Sequence, residues 1–296
     1  MTAPDIVERP RRSKFIRYFD KTPPGIVCPH FYILAHGNGC VFRCAYCFLQ
    51  LTFRGKVQPT VFTNVGDMLA EVDAFLAREE PAVLNAGELS DALALDDRTG
   101  LSKELVPRFA AQDRHLLLLL TKSANVDNLL GLEHEGRTVV SFSINAADVA
   151  AKYELGSPSP AERIAAARRA AQAGYRIRFR LDPVIPVPGW EESYRAILER
   201  LLEQAPPERI TFGTLRHFPN VKTYARKLGR DASAFDYASE RTPADGRRRV
   251  PTPQRLRIYK HLMDLVPEGV ATGLCKETEA CHRALRIEKV VCNCTL

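Results

Sequence analysis

The chain has 296 residues, 45% of them hydrophobic and 26% charged, with 42 Lys and Arg against 35 Asp and Glu for a net charge of +7. This length allows one large domain or two small ones, and no stretch reaches the ~20 uninterrupted apolar residues of a membrane span, which excludes a membrane partner. The polar start, MTAPDIVERPRRSKF, has no apolar signal core, so the expected compartment is the cytoplasm, where the eight cysteines stay reduced and open to metal.

Residues 1–30 are rich in Pro and Arg, lack periodicity and read as an N-terminal arm, laid over the domain or left mobile. Residues 31–215 are regular. Short apolar runs at 31–37, 82–87, 115–122, 138–145, 175–185 and 209–215 predict six strands. Between them, helices are predicted at 67–78, 102–111, 126–130, 160–173 and 190–204, several opening on an Asp, Ser or Pro suited to a helix start. Such alternation argues an α/β fold with a parallel sheet, either open and doubly wound or a complete or partial barrel. In both, chemistry sits at the C-terminal ends of the strands. The polar residues there are Gly87, Glu88, Ser90 and Asp91 after the second strand, Lys122 and Ser123 after the third, and Ser143 and Asn145 ending the fourth.

Residues 216–296 form a basic, cysteine-containing C-terminal region, with a further helix predicted at 252–265. Between Arg216 and Lys260 lie twelve Lys and Arg against four Asp and Glu, a local excess larger than that of the whole chain. Concentrated positive charge suits a polyanion, here a nucleic acid or nucleotide substrate, with an affinity that falls steeply with salt.

The cysteines fall into two groups: Cys28, Cys40, Cys44 and Cys47, then Cys275, Cys281, Cys292 and Cys294, with none between. Cys40, Cys44 and Cys47 stand at C-x3-C-x2-C in the glycine-flanked loop after the first predicted strand. Three thiolates so spaced can converge on a soft metal centre. A structural zinc needs a fourth ligand, such as Cys28 or His30, whereas an iron–sulfur cluster can leave one iron open to another ligand. A simple redox C-x-x-C pair has no use for the third cysteine.

With an aromatic residue just before the third cysteine, this motif resembles the signature of the radical S-adenosylmethionine (radical SAM) superfamily. Further segments, CPHFYILAHGNGCVFRCAYCFLQ, LSDALALD, TKSANVDNL, SFSIN and LDPVIP, resemble those of the spore photoproduct lyase-like group over roughly residues 25–215. The resemblance implies a partial, six-stranded parallel β/α barrel with a C-terminal extension. It also implies an enzyme that reductively cleaves S-adenosylmethionine at a 4Fe-4S cluster and uses the 5′-deoxyadenosyl radical to take hydrogen from substrate, in that family a thymine dimer in DNA. The electron would come from an external one-electron reductant such as flavodoxin or ferredoxin.

Carried over by position, Cys40, Cys44 and Cys47 become the cluster ligands and Tyr46 a neighbour of the adenine. Ser90 and Lys122 would hold the amino and carboxylate groups of S-adenosylmethionine, and Ser143 its sugar or amino acid portion, with Asn145 beside it. Gly87-Glu88 resembles the Gly-Glu stretch that binds the same amino group in many radical SAM enzymes. Two departures stand out. The lyases carry a cysteine two residues before the serine that matches Ser90, where it returns hydrogen to the product radical; here Glu88 stands in that place. They carry a tyrosine just after the third cluster cysteine, where this chain has Phe48. Tyr46 and Glu88, together with the tail thiols Cys292 and Cys294, are therefore the candidates for handling the radical. Cys275, Cys281, Cys292 and Cys294 would otherwise ligate an auxiliary iron–sulfur cluster or zinc. The rival reading is a non-catalytic, zinc-stabilised nucleic-acid-binding protein, which leaves Ser90, Lys122 and Ser143 unexplained.

Overall fold

The computed structural model describes residues 5–296. Eight strands build its main sheet: β1 (Ile16–Phe19), β2 (Phe31–Leu34), β3 (Val83–Asn85), β4 (Leu116–Thr121), β5 (Thr138–Ser143), β6 (Arg176–Val184), β7 (Arg209–Thr214) and β8 (Ala271–Leu274). They lie side by side in chain order, and every neighbouring pair is parallel except β1 with β2. All six expected strands are present. The count of six is corrected to seven parallel strands plus an antiparallel edge. The two additions lacked a readable pattern: β1 is the half-polar run IRYF, and β8 is four residues long with a glycine inside.

The helices include α1 (Val65–Leu76), α2 (Leu101–Ala110), α3 (Ala147–Tyr153), α4 (Pro160–Gln172), α5 (Trp190–Gln204) and α6 (Thr252–Asp264), with a nine-residue helix at Pro219–Lys227 and shorter helical turns besides. α4 opens on a full capping box, Ser159 with Glu162, and a proline in its first turn. The helix expected at 126–130 is a single 3-10 turn, Asp127–Leu129, and α3, a short run of seven residues, is an addition to the expected helices.

Because right-handed crossovers that always step the same way put their helices on one side, the sheet has a helix-covered face and a face free of them. The residue alternation follows. Leu117, Leu119, Val140, Phe142, Ile177 and Phe179 pack into the large core under the helices. Their neighbours Leu116, Leu118 and Val139 turn to the other face, where they join Phe31, Ile33 and Val83 around Cys292 and Cys294 of the tail. With both faces covered, β4 can read LLLLLT without alternation. Each such leucine, fully buried, contributes roughly 1.5–3 kcal/mol. The tail crosses directly over β8: a Cβ on Gly273 would lie 1.9 Å from the Val291 carbonyl oxygen, so only glycine permits the crossing.

The described part of the expected arm, residues 5–30, is laid along the domain. Val7–Arg9 pairs in parallel with Thr60–Phe62, β1 borders β2, and Ile26–Val27 pairs with Glu277–Thr278. Residues 1–4 lie outside the described residues. Among the described residues, no helix is long and apolar enough to cross a membrane.

Candidate active site

At the C-terminal ends of the parallel strands, on the face free of helices, opens a cavity of about 500 Å³. Cys40, Cys44 and Cys47 all line it. Their loop is clamped from several sides. Cys44 lies in the two-residue strand Arg43–Cys44, which pairs with Glu154–Leu155. The Ala45 amide donates to Tyr153 O (2.8 Å), the buried Gln50 amide to Ala45 O (2.7 Å), and Arg230 to Cys44 O (3.0 Å). No cysteine is in a disulfide among the described residues. Burial pushes all three thiols up, Cys44 to about 12. A soft cation that displaces those protons is what such a donor set accepts. Among the described residues no three His, Cys, Asp or Glu side chains close on a single metal ion. Three thiols of one loop that line one cavity are a donor set suited to a soft metal centre such as an iron–sulfur cluster.

Beside the thiols lies a network centred on the fully buried Glu154. Its Oε1 accepts from Lys122 Nζ (3.1 Å), from the Tyr46 hydroxyl and from Asn145 Nδ2 (3.3 Å), while Arg163 closes on Oε2 at 2.6 Å. Burial alone would raise this carboxyl; the Lys122 and Arg163 charges outweigh it and hold the group at about 2. Lys122 also donates to Ser143 Oγ (2.8 Å), and Arg163 to the Ser143 carbonyl (2.9 Å). The ammonium has three hydrogens, two of them engaged here, which leaves one for a ligand. Tyr46, Lys122 and Ser143 line the cavity. Asn145 sits behind it, donating to Pro183 O and accepting from Tyr194 (2.6 Å). Its place is structural support for the network rather than the cavity wall.

Ser90 lines the same cavity with Gly87, Glu88 and Asp91. His36 Nε2 lies 2.7 Å from the Ala86 carbonyl and 3.0 Å from Ser90 Oγ. The carbonyl can only accept, so Nε2 carries the hydrogen and shares it with Ser90, whose own O–H stays available. Asp91 anchors this loop to the end of β4. It accepts from Thr121 Oγ1 and the Lys122 amide (2.6 Å each) and from the amides of Leu93 and Ala94. Gly87 is required by packing: a Cβ there would sit 2.4 Å from Leu120 O. Glu88 accepts from Asn85 at 3.4 Å.

The opposite wall is built by β6, β7 and β8. Asp182 and Arg216 form a two-pronged ion pair (2.8 and 2.9 Å), and Arg216 also donates to Cys275 Sγ (3.2 Å). Below them the tail is buttoned to the sheet. Asn293, fully buried, donates to Ser141 Oγ (3.0 Å) and Phe179 O (2.8 Å) and accepts from Thr211 (2.7 Å). Arg178 and Arg209 hold the tail carbonyls, and Arg180 donates to Cys294 Sγ (2.9 Å).

The cysteines expected to form a tail group do not gather as four. Cys275 lines the cavity, Cys292 and Cys294 lie on the sheet face beneath it, and Cys281 sits on the helix Glu279–Ala284, next to Glu277 and Arg255. Cys28, weighed as a fourth ligand for the first group, packs instead with Cys292 and Cys294. Much of the basic excess between Arg216 and Lys260 is matched within the fold: Lys222 pairs with Asp236, Arg249 with Asp245, Arg255 with Glu240 and Glu277, and Arg257 with Glu191. Arg216, His217 and Arg247 line the cavity. Sequence reasoning missed Glu154, Arg163 and Arg230. The only local signal was for Arg163, a cation on the otherwise apolar face of α4.

The family model described as "Spore photoproduct lyase" matches residues 19–229 of this chain. The spore photoproduct lyase of Bacillus subtilis (strain 168) is 33% identical over 204 residues, 67% of this chain and 58% of that protein. That of Geobacillus sp. (strain Y412MC61) is 31% identical over 204 residues, 67% and 59% of the two chains. The chain thus spans less than two thirds of the length of these curated relatives. Among solved structures, a spore photoproduct lyase complexed with dinucleoside spore photoproduct superposes with a TM-score of 0.76 at 26% identity, covering 90% of this chain and 81% of that one. A double mutant of spore photoproduct lyase with bound AdoMet and the same dinucleoside gives 0.73 at 26% identity over the same shares.

Proposed function

The chain belongs to the spore photoproduct lyase family, and on that premise we propose that it is a radical SAM enzyme acting on a thymine-derived lesion in nucleic acid. The observation that carries this reading is the convergence, on one cavity, of the three thiols of residues 40–47 with Lys122, Ser143 and Ser90. Cys40, Cys44 and Cys47 would hold a 4Fe-4S cluster. Bound there with S-adenosylmethionine, the pair would supply a 5′-deoxyadenosyl radical once an external donor of the flavodoxin or ferredoxin class delivers an electron.

The protein's share is orientation and charge. Lys122, fixed by Glu154 and Ser143, offers its remaining hydrogen to the methionine carboxylate. Ser90, relieved of donating to His36, can donate to a ligand or accept from its ammonium. Tyr46, tied to Glu154, presents its ring toward the adenine. The strands in chain order suit a partial barrel, with the nucleotide lesion entering beside Arg216, His217 and Arg247. Glu88 and Phe48 occupy the two places where the family resemblance expects a hydrogen-returning cysteine and its tyrosine partner, so the closing step is proposed to use another donor.

The test is anaerobic reconstitution with iron and sulfide, then reduction in the presence of S-adenosylmethionine. Wild type is expected to form 5′-deoxyadenosine and Cys44→Ala none. A wild type that takes up iron yet forms none would contradict the reading. Oligonucleotide binding is expected to weaken steeply with salt, the mark of phosphate contacts.

A further inference from the structure

A site that takes hydrogen from a substrate leaves a carbon radical that must be quenched inside the same cavity. Glu88 cannot do this, because an O–H or carboxylate does not release a hydrogen atom readily, whereas a thiol S–H bond is weak enough to give one to carbon. Among the eight cysteines, a donor needs access to the cavity. Four line the cavity: Cys40, Cys44 and Cys47, already assigned, and Cys275. Cys292 and Cys294 lie below it among Val83, Leu116, Leu118 and Val139.

Resting on the function proposed above, we propose that Cys275 is the hydrogen-atom donor that returns a hydrogen to the substrate-derived carbon radical. Three observations carry it. Cys275 directly follows β8 at the same strand rim as the cofactor residues, its amide bonded to Phe212 O (2.7 Å), on the wall opposite the cluster loop. Its sulfur lies at the Asp182–Arg216 pair: Arg216 donates to it at 3.2 Å, and the Asp182 charge stands beside the thiol. Lys276, which follows, holds a left-handed backbone (φ 49°) rare outside glycine; strain of this kind persists where the surrounding structure imposes a turn, here the one that brings the Cys275 side chain to the cavity.

Charged and polar side chains of both signs, Arg180, Asp182, Arg216, His217 and Arg247, line this half of the cavity, which suits a polar ligand. Burial, reinforced by Asp182, raises the Cys275 thiol to about 12, so the hydrogen is present at neutral pH.

The carbon radical takes the hydrogen atom of Cys275, forming a C–H bond and leaving a sulfur-centred thiyl radical. One electron from the same low-potential donor class that serves the cluster, with one proton from water, restores the thiol.

The test uses the reconstituted full-length chain with dinucleoside spore photoproduct in D2O. Because S–H exchanges with solvent, wild-type product should gain one deuterium. Cys275→Ser, isosteric but with an O–H too strong to donate, should still form 5′-deoxyadenosine while product per 5′-deoxyadenosine falls at least tenfold; Cys275→Ala should do the same. A readout independent of turnover is alkylation of Cys275 in the chelated apoprotein, mapped by mass spectrometry, which the dinucleoside should slow. Unchanged coupling in both variants, wild-type product without deuterium, or alkylation indifferent to the dinucleoside would each overturn the donor assignment. Absence of 5′-deoxyadenosine from wild type would instead overturn the proposed function, and the donor with it.

Discussion

The loop carrying Cys40, Cys44 and Cys47 and the tail carrying Cys292 and Cys294 are both cysteine-rich turns closed against the sheet, and they are held by different means. The loop is fastened through its backbone, by Gln50, Arg230 and the short pairing with Glu154–Leu155, so its three thiols are left to face the cavity. In the tail the sulfurs are part of the fastening: Arg180 donates to Cys294, and both thiols pack among apolar strand residues. A loop whose backbone supplies the anchoring can offer its side chains to a ligand. A tail whose side chains supply the anchoring cannot do so without loosening the sheet face it covers.

The largest expected effect separates the two regions by chemistry. Cys44→Ala should abolish 5′-deoxyadenosine formation, a loss of at least a hundredfold by product chromatography, whereas Cys292→Ala should keep its iron. The next concerns the loop's supporting carboxylate. Glu154→Ala strands Lys122 and Arg163 without their partner, so a loss of about 3–5 kcal/mol in urea unfolding is expected, with weakened S-adenosylmethionine binding. The tail should respond more mildly. Asn293→Ala, which leaves Thr211, Ser141 and the Phe179 carbonyl without their bonds, should cost about 1–3 kcal/mol in the same measurement and leave iron content unchanged.

The remaining expected effect is a pH dependence confined to acid. The Glu154 carboxyl titrates near 2 in the fold against an ordinary 4.5, so its stabilisation is complete above about pH 4.5 and is lost as the pH falls toward 2. Glu154→Gln, followed by acid unfolding, should flatten the stability curve in that window; an unchanged slope would remove Glu154 from the account.

The parts of this molecule that were legible in the sequence are those in which neighbours along the chain are also neighbours in space. Six of the seven parallel strands announce themselves as apolar runs, and α5 spans the expected residues, because burial on the sheet imposes those patterns locally. The cluster loop is legible for the same reason. Glu154 was not, since a lone acid after α3 gives no hint that it will meet Lys122 from the end of β4, Arg163 from α4 and Tyr46 from the loop. The tail illustrates the same limit: spacing grouped Cys281 with Cys292 and Cys294, but the strand pairing of Ile26–Val27 with Glu277–Thr278 brings in the N-terminal segment, and Cys28 takes that place. The charge of the basic stretch was only partly legible, because its partners Asp182, Glu191 and Glu277 lie outside the segment.

The central claim, that Cys40, Cys44 and Cys47 bind metal while Cys292 and Cys294 fasten the tail, is tested most directly by counting iron. After anaerobic reconstitution, wild type should hold about four irons per chain, as one 4Fe-4S cluster requires, and the Cys40→Ala/Cys44→Ala/Cys47→Ala triple variant should hold none. A triple variant that keeps a full complement of iron would place a cluster on the second group and contradict the account.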